Sequence, residues 1–490
     1  MRITNKMMAN NMMSSINRNK NLLNTLDEQY STGKKIQRPS EDPIVAVRAL
    51  KLRTNLSELN QYYEKNIPDA RSWMDVTEEA LKNMNEVMTK INSSCVQGAT
   101  DSLTASDRSS IVETLNEMKK QIYQEGNANY AGRYVFTGYK TDSSLSFEKD
   151  TSVNYTITEN FTGDNLESIT KVSYGTGGGP ETTVPTTINT HRLRLSYENL
   201  DASNPNGIPN TNITYIDKDG HSQTILAANI VTASLSNTTI DPYNPDNTLP
   251  GKINYIPETG ELILSDNVYK SMQGAKDITL SYGKSNFETG DLKPENYFDC
   301  KDNTNNITYK VSDQQIQYEI NFNQSLTINT QAKNAFDHGI GRDIDEILYS
   351  VKDVEAVEGK IAEVKKNLED KSLSQTDIDK LNTTLTNLQT EFKLKTNIMQ
   401  DKFNKGILGS TNAQDKLNTA VADLGTRSKR LDLTEDRLSS QQASFEELMS
   451  NNEDADVAET YIKLSSAQVI YNASLNAAGK IVKASLLDFL

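Results

Sequence analysis

From Pro43 to about Gln97 the apolar residues recur at alternating steps of three and four, the spacing of a helix that buries one narrow seam. The seam runs Leu52, Leu56, Leu59, Tyr63, Asn66, Ala70, Trp73, Thr77, Leu81, Met84, Met88, Ile91 and Cys95, with a stutter between Thr77 and Leu81. Asp42 or Ser40 suits the cap, Pro43 the first turn and Gly98 the stop. At ~1.5 Å per residue the rod is roughly 80 Å long. Pro68 predicts a kink or interruption, because proline removes a backbone donor and crowds the preceding turn. A second helix is expected from a cap near Ser106 to about Gly126, with Ile111, Leu115, Met118 and Ile122 on one face. Such seams need a partner.

Between about Tyr130 and Phe336 the period changes to two, as in Val153/Tyr155/Ile157, Leu193/Leu195/Tyr197 and Ile316/Tyr318/Ile320. Asp219-Gly220 and Glu258 to Glu261 sit between short apolar runs as hairpin turns. Helical period returns from Ile344. Ile347 to Leu368 and Ile378 to Phe392 carry two seams separated by a polar stretch, an antiparallel helical hairpin. A last long segment carries Leu417, Val421, Leu424, Ser428, Leu431, Leu438, Phe445 and Met449, then resumes at Val457, Tyr461 and Leu464. The fold class is therefore α+β multidomain. Long N- and C-terminal helices pair as a coiled-coil-like bundle, and an antiparallel β region is inserted between them. The expected segments are 1–42 (flexible assembly segment), 43–130 (helical rod), 131–335 (one or two outward-facing β domains), 336–405 (helical hairpin), 406–469 (C-terminal rod) and 470–490 (C-terminal assembly segment).

Composition narrows the function. Of 490 residues only 36% are hydrophobic, and the mean hydropathy is −0.62, which fits a chain that borrows apolar surface from neighbours. A formal charge of −15 argues against nucleic acid. No apolar run is long enough for a membrane helix, and Met1 to Lys6 lacks the apolar stretch of a cleaved signal peptide. Two cysteines exclude a disulfide framework, and a Cys95–Cys300 bridge would tie a helix to the distant β region. His191, His221 and His338 fall in unrelated places. Gly175 to Pro180 lacks the lysine of a phosphate loop, and Asp217 to Gly220 lacks the glutamate of a calcium loop. Trp73 and Cys95 read as seam packing. No catalytic residue, cofactor or metal ligand is expected, and the chain is not expected to be an enzyme.

Linear motifs then become informative. Tyr30 to Pro43 (YSTGKKIQRPSEDP) resembles the signature of the flagellar hook-associated protein 3 family, which is related to flagellin. Gln61-Tyr62, Asn66-Ile67 and Ala70 to Trp73 are similar to that family's next stretch. So are Gly132 to Asp142 (GRYVFTGYKTD), Leu424 to Arg427, Asp454 to Asp456 and the closing Ser485 to Leu490. Gln37 and Glu41 depart from the usual Asn and Asp.

The resemblance implies a hook–filament junction adaptor at an extracellular address, exported by the flagellar type III route without a cleaved signal peptide. It implies terminal helices that order on assembly into a homo-oligomeric ring. Implied partners are the first hook-associated protein on one side, flagellin on the other, and an export chaperone and export apparatus. The residues implicated in assembly are Ser31, Gly33, Ile36, Pro39, Asp42, Pro43, Trp73, Arg133, Tyr134, Phe136, Leu475, Leu486, Leu487 and Phe489. Two other readings share the pattern: a flagellin-type filament subunit, and a phage tail fibre or adhesin with a coiled-coil stem and β head.

Overall fold

The computed structural model describes residues 5–100, 103–175, 178–236, 241–245, 251–370 and 373–487. Its helices are α1 (Asn5–Thr32), α2 (Pro43–Asn60), α3 (Ile67–Gly98), α4 (Ala105–Glu125), α5 (Asp266–Met272), α6 (Ala332–Ala335), α7 (Gly339–Leu368), α8 (Gln375–Glu453) and α9 (Val457–Leu487). A π-helical segment, Gln61–Asn66, joins α2 to α3. The chain forms two compact units. The first combines residues 1–69, 318–326 and 429–490; the second combines 70–317 and 327–428.

In the second unit the α3 seam is enclosed, and Trp73, Leu81, Met84, Met88, Ile91 and Cys95 are buried. Helix α8 supplies the partner surface. An added Cβ at Gly406 would lie 2.8 Å from Ile347 Cδ1 and 3.0 Å from Cys95 Sγ, so α8 meets α3 and α7 this closely only with glycine there. Along the rim, Asn92 Nδ2 donates to Ser410 Oγ (2.9 Å) and Gln414 Nε2 to Thr89 Oγ1 (2.8 Å). Leu417 and Leu424 of the C-terminal seam are fully buried too. The expected pairing of N- and C-terminal helices is thus realised inside one unit.

The β region forms two larger sheets over a shared core. One has six strands in the order 307–309, 299–302, 155–161, 278–284, 213–216, 222–225, all antiparallel. The other has five in the order 166–173, 186–194, 261–264, 253–256, 230–232. Ile157, Leu280 and Tyr282 of the first sheet pack in the same cluster as Leu193, Leu262 and Tyr255 of the second. One pairing departs from the expected antiparallel pattern: 230–232 runs parallel to 253–256. The Asp219-Gly220 turn forms as expected, with Gly220 at φ +90° and Asp217 Oδ1 accepting from the Asp219 and His221 amides. Strands 166–173 and 186–194, on either side of the Gly175 stretch, pair antiparallel; residues 176 and 177 of that stretch lie outside the described residues.

Both cysteines are buried and free, so the chain has no Cys95–Cys300 bridge. Burial pushes each thiol up to about 12.

Buried charge fastens the five-stranded sheet to α7 and α8. Arg192, enclosed almost completely, donates to Glu167 (2.6 Å), Glu346 (2.5 Å) and Glu261. Arg194 reaches Asp343 (2.6 Å) and Glu346 (2.8 Å), and Lys402 and Lys405 reach Glu346 (2.6 Å) and Glu167 (2.7 Å).

Other expectations are sharpened or corrected. The interruption expected at Pro68 takes the form of a π-helical segment, not a break in the helix. Ile67 N–H donates to Tyr62 O, five residues back, and this widened turn relieves the clash an α-helix would impose between the proline ring and the carbonyl of Glu64. The cap of α4 is Thr104, not Ser106, because Thr104 and Asp107 form a reciprocal capping box. Helix α8 runs unbroken through 405 and 406.

In the first unit, Leu26 of α1 packs with Leu464 and Ala467 of α9. The rings of Tyr30 and Tyr461 lie 5.7 Å apart, and Asn19 Nδ2 donates to Ser474 Oγ (3.1 Å). A short hairpin reaches the π segment, where Asn66 Nδ2 donates to Glu319 O (2.8 Å).

Candidate assembly site

The Ser31–Pro43 motif is the link between α1 and α2. Ser31 is exposed in the last turn of α1. Gly33 ends that helix at φ +69°, its N–H donating to Gln29 O (2.9 Å); a side chain at that φ is strained. Ile36 is half-buried. Pro39 follows Arg38 in a turn closed by Glu41 N–H to Arg38 O (3.0 Å), where its fixed φ is pre-set. Asp42 caps α2, accepting from the Ile44 and Val45 amides (3.0 and 3.1 Å), and Pro43 opens the helix.

This link clasps the break between α8 and α9. Lys34 bridges to Asp454, with Lys35 N–H donating to Glu453 O (2.7 Å) and Ala455 N–H to Gly33 O (2.8 Å). Side chains reinforce the clasp. Lys34 Nζ meets Asp454 (2.5 Å) and Glu453 (3.5 Å), and Arg53 grips Glu453 through Nε (2.8 Å) and Nη2. The hydrogen bond to Asp454 holds the Lys34 ammonium above its ordinary pKa, and that from Arg53 holds Glu453 below its own. Asp456 then caps α9 through the Ala458 and Glu459 amides (2.9 and 3.0 Å).

Around the clasp lies apolar surface that this unit does not cover. On α2, Ile44, Val47 and Leu50 are 66%, 55% and 62% exposed; on α9, Tyr461, Ile462, Val469, Ile470 and Leu475 are exposed as well. These residues continue down helices whose inner faces hold Ala46, Ala49 and Leu464. Leu486 and Leu487 fall in α9, while their side chains and Phe489 lie outside the described residues.

Four of the expected assembly residues belong to the second unit. Trp73 and Phe136 are enclosed by their own chain, so they hold the fold and present no surface. Arg133 lies over the Trp73 ring (5.0 Å) and the Tyr130 ring (5.7 Å). It is placed there by a two-residue hairpin turn in which Ala131 (φ 51°) and Gly132 (φ 80°) are both left-handed. Tyr134 donates to Glu148 (3.2 Å), and Phe136 meets Phe336 edge-on at 5.8 Å.

Arg53 and Glu453 were not among the residues expected from sequence, whereas Lys34 and Lys35 lie within the Tyr30 to Pro43 motif and Asp454 within a second one.

Comparison with known proteins agrees with the motifs. Residues 3–141 match the bacterial flagellin N-terminal helical region, and residues 409–490 match the bacterial flagellin C-terminal helical region. Flagellar hook-associated protein 3 of Salmonella typhimurium is 30% identical over 145 residues, 29% of this chain and 45% of that protein. The flagellin of Clostridium tyrobutyricum is 27% identical over 174 residues, 34% of this chain and 46% of that protein. The chain thus spans less than half the length of these curated relatives. Among solved structures, FlgL of Xanthomonas campestris aligns with 81% of this chain and 99% of its own at 14% identity and a TM-score of 0.31. The flagellar junction protein FlgL from Legionella pneumophila aligns with 79% and 99% at 13% identity and a TM-score of 0.27. Both terminal helical regions thus match those of bacterial flagellins, and the chain is similar to flagellar hook-associated protein 3.

Proposed function

We propose that the chain is a non-enzymatic structural adaptor of the bacterial flagellum, joining hook to filament as a ring of identical subunits. The observation that carries this reading is the uncovered apolar surface of α2 and α9, set around a clasp that fixes where both helices start. Apolar patches of that kind mark surfaces that other protein covers. Neighbouring copies supply that cover in the ring. The first hook-associated protein lies on the hook side and flagellin on the filament side. Export by the flagellar route, with its chaperone, brings the chain to the extracellular junction.

The test is a Val47→Asp/Leu50→Asp double variant, produced in cells that lack the native copy. The expected result is a subunit that is exported but not retained, with filaments absent and motility lost. Normal filament growth overturns the reading. The similarity to a clostridial flagellin supports a second reading, a filament subunit. Immunolocalisation separates the two, by label confined to the junction or spread along the filament.

A further inference from the structure

The second unit contains a cavity of about 460 Å³ beside the ion lattice, unrelated to the assembly surface. Its lining includes Lys171, Val172, Ile188, Tyr243, Glu258 and Arg342. Three polar groups there stand out. Lys171 Nζ lies 4.1 Å from the Tyr243 ring centroid, and among the described residues it has no hydrogen-bond or carboxylate partner. Arg342 is 7% exposed; Nη1 donates to Glu198 (2.9 Å) and Nη2 to Thr259 O, while Nε is buried without a partner. Glu258 accepts from Ser234 through Oε1 (2.5 Å), while its buried Oε2 accepts nothing.

The other buried charges of this wall are matched, while Asp241 and Asp353 face solvent. Arg192 is bound to Glu261 and Glu346, and Lys402 to Glu346. Tyr243 Oη donates to Glu261 (3.0 Å). The unmatched set is therefore specific: an ammonium and a guanidinium N–H that seek an anion, and a carboxylate oxygen that seeks a cation. Buried polar groups left so are costly, and ligand pockets combine an apolar wall with a few convergent polar groups in this way. A pure anion would leave Glu258 unanswered, and a pure cation would leave Lys171 and Arg342 unanswered.

We propose that this cavity binds a free α-amino acid with an apolar side chain. Its carboxylate meets Lys171 and Arg342, its ammonium meets Glu258, and its side chain lies against Val172 and Ile188. The volume falls within the ~300–1,000 Å³ typical of small-molecule sites.

Calorimetric titration of the full chain tests this with four probes: L-leucine, leucinamide, N-acetylleucine and N-acetylleucinamide. Leucine is expected to bind at least about tenfold tighter than either singly blocked probe, and the doubly blocked one weakest. In Lys171→Met, leucine falls to the level of leucinamide while leucinamide is unchanged. In Glu258→Gln, leucine falls to the level of N-acetylleucine while N-acetylleucine is unchanged. A merely structural role would lower all four probes together, and that result overturns the proposal. So do equal affinities for the four probes, or no heat with leucine up to about 10 mM.

Discussion

Two stretches of one seam behave differently. From Ala70 to Cys95 each seam residue is at most 1% exposed, whereas from Leu52 to Asn66 the same spacing buries only Leu59. The difference lies in what stands opposite. Behind Ala70 to Cys95 the chain supplies α8, brought close by Gly406. Behind Leu52 to Asn66 it supplies contacts that are largely polar, such as Arg53 to Glu453 and Gln442 Nε2 to Asn60 Oδ1 (3.1 Å). One spacing thus gives a core closed within the chain along one stretch and a half-covered face along the other.

The contrast predicts unequal costs. Trp73→Ala opens a cavity in the closed core and should cost about 4 kcal/mol, read as a lowered midpoint in denaturant melts followed by circular dichroism. A loss below about 1 kcal/mol would mean that the core is not closed. Arg192→Met should cost about 3 kcal/mol in the same melts, because it leaves Glu167, Glu261 and Glu346 buried without their shared cation. An apolar replacement of the whole cluster should restore most of that loss.

A third prediction concerns pH. His338 is buried against Tyr197, Tyr297 and Phe298, and burial lowers its pKa to about 3. The neutral ring is favoured on folding, so its stabilisation is complete above about 6.5 and is lost as pH falls from there toward 3. Glu159 acts oppositely. Burial raises its carboxyl to about 7, which costs stability as pH rises from about 4.5 to 7. His338→Phe should therefore remove the effect that offsets Glu159, giving a protein that gains stability as pH falls from 7 to 4.5. Melts at three pH values across that range check the sign. Glu167, lowered to about 2 against burial by Arg192, Arg194 and Lys405, keeps the lattice intact there.

The smallest effect belongs to the open face. Val47→Asp/Leu50→Asp should change the stability of the isolated subunit by less than about 0.5 kcal/mol while abolishing assembly, since both positions already face water. A large loss of monomer stability would show that the face is closed after all.

The seam, its stutter, the Asp42 cap and the Asp219-Gly220 turn were legible because each is written in residues near one another. Hydrophobic period predicts that a face will be buried but not by what: it marked Trp73 as seam packing, and the structure encloses Trp73 within its own chain. The clasp was illegible for a related reason. Lys34 and Asp454 are 420 positions apart, and nothing local marks one lysine among many as paired. Arg192 was hidden likewise, on a strand that otherwise alternates as expected, with three acids drawn from three other segments.

The two buried thiols have a practical consequence for anyone handling this protein. With both sulfurs inside and their protons held to about pH 12, thiol-directed dyes and spin labels at neutral pH have nothing native to attack. A cysteine placed at Val47 would then be the one reactive handle on the molecule. The wild-type background serves as it stands for single-site labelling of the open face.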